Sequence, residues 1–240
     1  MRNPATPRRE PPVTPAGDGR SPWRAALEAG AALIQDTAPL KDFDIYVAGL
    51  HCGHLEPDMQ MEAHHFCRQV NQDFLQCVLF DGNTKDANLI GIEYIISERL
   101  FDGLPADEQE LWHPHNYEIL SGQLVAPGLP DVAERAFLKQ LMNSYGKTWH
   151  TWHTGRHDGR GAPGQPLPMG DAMLMWSFNR DGEADEALKR DFSSALGIDE
   201  AAKREQRSGL VAEAHPQRGV DTMAEAFEDT TPLPGVRERG

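Results

Sequence analysis

Two runs of β-branched and aliphatic residues, 76–80 and 87–96, are separated by a segment that opens Asp81-Gly82-Asn83. Turn residues at that spacing predict an antiparallel hairpin with a long loop, and this pairing constrains the fold more than any other stretch. Upstream, Phe43, Ile45 and Val47 alternate with Asp44 and Tyr46, which predicts a strand to about His51, with His51 in phase with the apolar side. A second hairpin is expected from 116–120 and 123–126, turning at Ser121-Gly122, and 172–178 reads as a buried strand followed by a turn over 179–182. The alternating Thr and Trp of 147–154 favour a strand, although Trp149 and His153 also stand at helical spacing.

Helical patterns are interspersed with these strands. Ser21 caps a helix with Pro22 in its first turn and Trp23, Leu27 and Ile34 along it. Asp58 precedes a stripe of Met59, Ala63, Phe66, Val70 and Phe74 at steps of three and four, which predicts a helix. Pro105, Asp107 and Glu108 start another that runs to Trp112 and stops at Pro114. Asp131 and Glu134 resemble a capping box for a helix through Phe137, Leu141 and Tyr145, ended by Gly146. Leu188, Phe192 and Leu196 form a further face closed by Gly197, and Asp199 caps a charged helix ending near Gly209. The expected fold is α+β: a single domain with a mainly antiparallel sheet flanked by helices, rather than a doubly wound parallel sheet.

Residues 1–22 carry six prolines and almost no bulky apolar side chain, so they are expected to be a disordered arm. The domain is expected over 23–209, with a Gly-rich loop at 155–166 and a polar tail over 210–240. With 37 acidic and 23 basic residues the formal charge is -14, and that field repels phosphate backbones, which excludes nucleic acid as the main partner. No run approaches the roughly 18 apolar residues of a membrane span, and the N-terminus has no secretory apolar core. Cys52, Cys67 and Cys77 are too few and too odd in number for a disulfide framework. They are read as small buried apolar residues in a reducing compartment, and the chain as cytoplasmic.

Nine of the ten histidines fall between His51 and His157. Imidazole is the commonest metal ligand, and His113 and His115, separated by one extended residue, project to the same side and could hold one ion. His64 and His65 point about 100 degrees apart on a helix, so a single site would use only one of them. His51, His64, His65, His113, His115 and His150 are therefore the candidate ligands of a divalent transition metal such as zinc or iron. Glu93, inside an aliphatic strand, and Glu118, beside the His113–His115 pair, are the candidate proton carriers. Against each stands the plainer reading of a packed or junction histidine. The stretch from His113 to Gly122 matches a cupin metal motif poorly, and no dinucleotide fingerprint, P-loop, nucleophile elbow or His-Glu-x-x-His occurs.

Five phrases carry a family resemblance: Glu62-Ala-His-His-Phe-Cys67, Asn71-Gln-Asp-Phe-Leu-Gln-Cys77, Gly91-Ile-Glu-Tyr-Ile-Ile-Ser97, Trp112-His-Pro-His-Asn-Tyr-Glu118 and Tyr145-Gly-Lys-Thr-Trp-His150. Together they resemble the oil body-associated protein family, collinearly from about Asp42 to Gly209. The resemblance implies association with seed oil bodies in plant members, and supplies no catalytic residue. Two functions of different class follow. One is an accessory role at lipid droplets or membranes, with contact through a peripheral amphipathic helix or a protein partner. The other is a metal-dependent enzyme with a histidine-rich pocket. A protein-binding scaffold, suited by exposed tryptophans and two flexible ends, is a third.

Overall fold

The computed structural model describes residues 6–155 and 164–240. Its strands are β1 (Ile45–Gly53), β2 (Glu56–Asn71), β3 (Phe74–Phe80), β4 (Leu89–Ile96), β5 (His113–Pro114), β6 (Tyr145–His150), β7 (Met173–Trp176), β8 (Arg180–Asp181) and β9 (Thr231–Pro232). The helices are α1 (Pro22–Ile34), α2 (Glu98–Phe101), α3 (Ala106–Gln109), α4 (Asn116–Ser121), α5 (Asp131–Leu141), α6 (Glu186–Leu196) and α7 (Glu200–Arg207). The main sheet runs β4-β3-β2-β1-β7-β6-β5, and β4 also pairs with β6. That extra pairing closes six antiparallel strands into a barrel. β5 lies against Tyr145 and Gly146, the stretch of β6 that β7 leaves unpaired because its own pairing begins at Thr148.

Register fixes what the barrel encloses. His51 stands opposite Met61 and Val47 opposite His65, and from His65 the ladder continues to Leu79. Cys67 faces Cys77, Cys77 faces Glu93, Glu93 faces Thr148, and Gly146 faces His113. Cross-strand partners share a face, so these residues all point the same way, into the barrel. The opposite face is also covered. Ala48 forms a bridge with Val125. Gln60 donates to the Glu183 carbonyl and accepts from the Asp185 amide, which ties the start of α6 to the outside of β2.

The sequence reading holds for β1, for the β3–β4 hairpin, for β6 and β7, and for α1, α6 and α7 with their caps. Three elements differ. The helix expected from Asp58 is the 16-residue strand β2. Both of its faces are buried, so Glu62 and His64 outside and Ala63 and His65 inside erase the polar-apolar alternation that marks a strand. The hairpin expected over 116–126 is instead helix α4, capped by Gly122 at φ 95°. All six residues of α4 are buried, so no amphipathic stripe betrays it. Helix α5 ends at Leu141, and Tyr145 and Gly146 begin β6 rather than ending a helix; Asp131 sits in the first turn, with Pro130 at the cap position.

Cys67 and Cys77 form a disulfide, which corrects their reading as unpaired apolar residues; Cys52 is free and buried. They are direct cross-strand partners on β2 and β3, a proximity set by register and hidden from residue counting. From residue 6 to 20 the chain has no helix or strand, but Arg9 pairs with the buried Glu62. Beyond 210, Leu210, Val220, Met223, Leu233 and Val236 join the core cluster, so the stretch expected as a polar tail packs against the domain. Of the Gly-rich loop, residues 156–163 lie outside the described residues, as do residues 1–5 of the arm. No helix among the described residues is long and apolar enough to cross a membrane.

Candidate metal centre

Glu93 is the hub of the barrel interior. Alternation along β4 aims it inward between Ile92 and Tyr94, and it is 2% exposed. Its Oε2 lies 2.9 Å from His65 Nε2, and its Oε1 lies 3.4 Å from His115 Nε2 and 3.5 Å from His113 Nε2. His51 packs edge-on to His65 with ring centroids 5.1 Å apart, and stands 5.9 Å from His113 by the same measure. Two overlapping groups result, His51-His65-Glu93 and Glu93-His113-His115, each with ligand atoms within 4.8 Å of one another.

Gly146 lets these donors converge. A Cβ built on it would lie 2.3 Å from Glu93 Oε1, 2.6 Å from His113 Nε2 and 2.7 Å from His115 Nε2. No side chain fits there, and the three donor atoms close up in the space that one would take. Both ring nitrogens of His113 and Nδ1 of His65 are buried without a hydrogen-bond partner. Such groups are costly in a protein interior unless something else binds them. Ser144 orients His115. Its hydroxyl donates to the Leu141 carbonyl at 2.5 Å, so its oxygen accepts from His115 Nδ1 at 2.8 Å, and Nε2 is left with its lone pair toward Glu93. Donor set and spare lone pairs together fit a transition metal.

Electrostatics separate the two buried carboxyls. Burial alone would raise the pKa of Glu93, but the close imidazoles of His65, His113 and His115 outweigh it and hold the carboxyl well below the carboxylate norm. Glu118, with Oε2 4.0 Å from His115 Nε2, is pushed well above that norm by burial and by the negative charge of Glu93. Burial also lowers His51, with His65 adding to the effect, and lowers His113; it takes His150 to about 3. Burial thus favours the neutral forms of His51, His113, His150 and Glu118, while Glu93 keeps its charge.

The structure brings His51, His65, Glu93, His113 and His115 together, with Glu118 beside them. His150 adjoins the cluster through its Nε2, 3.4 Å from His51 Nδ1. His64, one residue from His65, points to the outer face, where Tyr46 meets its Nδ1 at 2.7 Å and Glu62 its Nε2 at 2.6 Å. Sequence reasoning missed Gly146, Ser144 and Thr148. Thr148 sits opposite Glu93 with its buried hydroxyl unpartnered. The one signal for Gly146 was a glycine between Tyr145 and Lys147 in a strand, where close approach by another group is the usual reason.

A family profile described as a protein of unknown function (DUF1264) matches residues 37–211. The chain is 42% identical over 169 residues to oil body-associated protein 2B of Arabidopsis thaliana, across 68% of this chain and 66% of that protein. It is 35% identical over 199 residues to oil body-associated protein 2A of the same plant, across 82% and 78% of the two chains. To oil body-associated protein 1A of Zea mays it is 36% identical over 202 residues, across 84% and 81%. No solved structure matches. The five phrases that carried the resemblance lie on β2, on β2 to β3, on β4, at β5 to α4 and on β6, the elements that build the barrel and its interior, and the chain belongs to the oil body-associated protein (DUF1264) family.

Proposed function

We propose that the barrel interior is the active site of a metal-dependent enzyme, with a divalent first-row ion such as zinc or iron held by Glu93, His113 and His115. One observation carries this reading: the buried ligand atoms of Glu93, His113 and His115 converge to within 4.8 Å of one another. Two histidines and a carboxylate are a donor set suited to zinc or non-haem iron, and the ion supplies Lewis-acid polarisation of a substrate oxygen or a more acidic water. Ser144 holds His115 in the ligating tautomer. Glu118 carries the proton at its buried carboxyl, and the Thr148 hydroxyl is free to bond a substrate oxygen. Metal analysis of untagged protein tests this: about one equivalent is expected, lost when His113 and His115 are replaced by alanine. Metal well below one equivalent, unchanged by those replacements, would sink it.

A second reading rests on the relatives, which are named for oil bodies, and on α1. None of the 13 residues of α1 is buried, with Trp23 70% and Ile34 87% exposed. A helix so apolar and so uncovered suits peripheral contact with a lipid droplet. Flotation of full-length protein with artificial droplets tests it: loss of flotation on deleting 22–34 is expected, and protein that stays wholly in the infranatant counts against it.

A further inference from the structure

One end of the barrel has a chemistry unlike the Glu93 cluster. β2 carries Met59 and Met61, and β7 carries Met173 and Met175, each pair two positions apart and so facing one side of its strand. The register sets Met61 opposite His51 and Met173 opposite His150. Together with Met169 these side chains line a cleft of about 130 Å³ that opens onto His150. Five of the eight methionines of the chain thus surround one opening. Methionine is a common gap-filler in cores, and that role alone explains one or two such positions. It does not explain the partners of His150. This imidazole is 4% exposed, yet its Nδ1 faces the Met61 sulfur at 3.0 Å and its Nε2 faces His51 Nδ1 at 3.4 Å. Among the described residues neither nitrogen meets an oxygen, the partner a buried imidazole ordinarily finds.

We infer that this cleft is a second metal site, selective for a soft monovalent ion, Cu(I), with the thioethers of Met61 and Met173 and the imidazole of His150 as its ligands. Thioether sulfur with imidazole discriminates for Cu(I) and against the hard divalent ions that carboxylates prefer. Met59 and Met169, nearer the opening, offer further thioethers along the way in. Cys52 belongs to neither site, since it points to the outer face of β1 with its Sγ toward the Trp176 carbonyl.

The test is anaerobic competition for Cu(I) between untagged full-length protein and a chromophoric chelator. Wild type is expected to take up about one Cu(I), with copper–sulfur scattering at the absorption edge. Met61→Leu and Met173→Leu conserve volume, so each is expected to keep the fold, checked by thermal melting, while weakening Cu(I) at least about tenfold. Glu93→Gln and Cys52→Ser are expected to leave Cu(I) affinity unchanged, so failure of the Glu93 site does not mask the result. No Cu(I) uptake, an affinity unmoved in both leucine variants, or loss confined to Cys52→Ser would each overturn the inference.

Discussion

A methyl group on Gly146 would stand 2.3 Å from Oε1 of Glu93, across the β4–β6 pairing that closes the barrel. The same methyl would stand 2.6 Å from His113 Nε2 and so force the ligand atoms apart. Gly146→Ala is therefore expected to abolish divalent metal binding while the protein still folds, with some loss of melting temperature from overpacking of about 1–3 kcal/mol. Metal content and circular dichroism on one sample check it. A variant that keeps its full metal complement would refute the assigned ligand set.

Ser144 touches no donor lone pair, so its effect is indirect. Ser144→Ala removes the acceptor of His115 Nδ1 and frees the ring to rotate or change tautomer. Metal affinity is expected to fall roughly 10- to 100-fold, the usual cost of losing an outer partner of a ligating histidine. Ser144→Thr, which retains the hydroxyl, should restore part of it.

Burial raises the Glu183 carboxyl from 4.5 to about 7, against the Asn179 and Arg180 amides that lower it. The folded protein therefore holds a proton there that the unfolded chain has released between those values. Stability from this group is complete below about pH 4.5 and is lost as pH rises to about 7, by up to roughly 3 kcal/mol. Glu183→Gln keeps an acceptor for the Asn179 amide, 2.6 Å away. Its denaturant midpoint should vary less with pH over that window, and an unchanged slope would contradict the assignment.

Arg207 is 1% exposed and donates to the carbonyls of Ile119 and Leu124 at 2.8 and 2.9 Å, with Glu134 Oε2 3.3 Å from its Nη2. It joins α4, α5 and α7 behind the barrel wall. Arg207→Ala leaves the buried Glu134 with Lys203 as its remaining cation among the described residues and strands two carbonyls, so a loss of about 3–5 kcal/mol is expected in urea unfolding.

The Cys67–Cys77 bridge closes a loop with a sequence separation of 10. The double Cys67→Ser, Cys77→Ser variant is expected to lose about 2–3 kcal/mol by chain-entropy reasoning. Equilibrium unfolding of the two proteins compares them directly.

The sheet was legible where one turn segment and one alternating run spoke plainly, as at Asp81-Gly82-Asn83 and from Ile45 to His51. It was illegible along β2, because a barrel wall covered on its outer side buries Glu62 and His64 as fully as Ala63 and His65. The residue types of the interior cluster stood out by their density between His51 and His150. Their meeting did not, since it depends on strand register, and a shift of one position exchanges His65 for His64 and sends the imidazole outside. Gly146 and the cysteine pair follow the same logic, because each acquires its role from a neighbour supplied by another strand.

When β4 pairs with β6 the six strands close on themselves, so none of them is the last strand of an open sheet that a neighbour could extend. Copies crowded side by side, as on a small lipid surface, would then lack a template for strand-by-strand stacking, so crowding would not by itself seed fibrous aggregates.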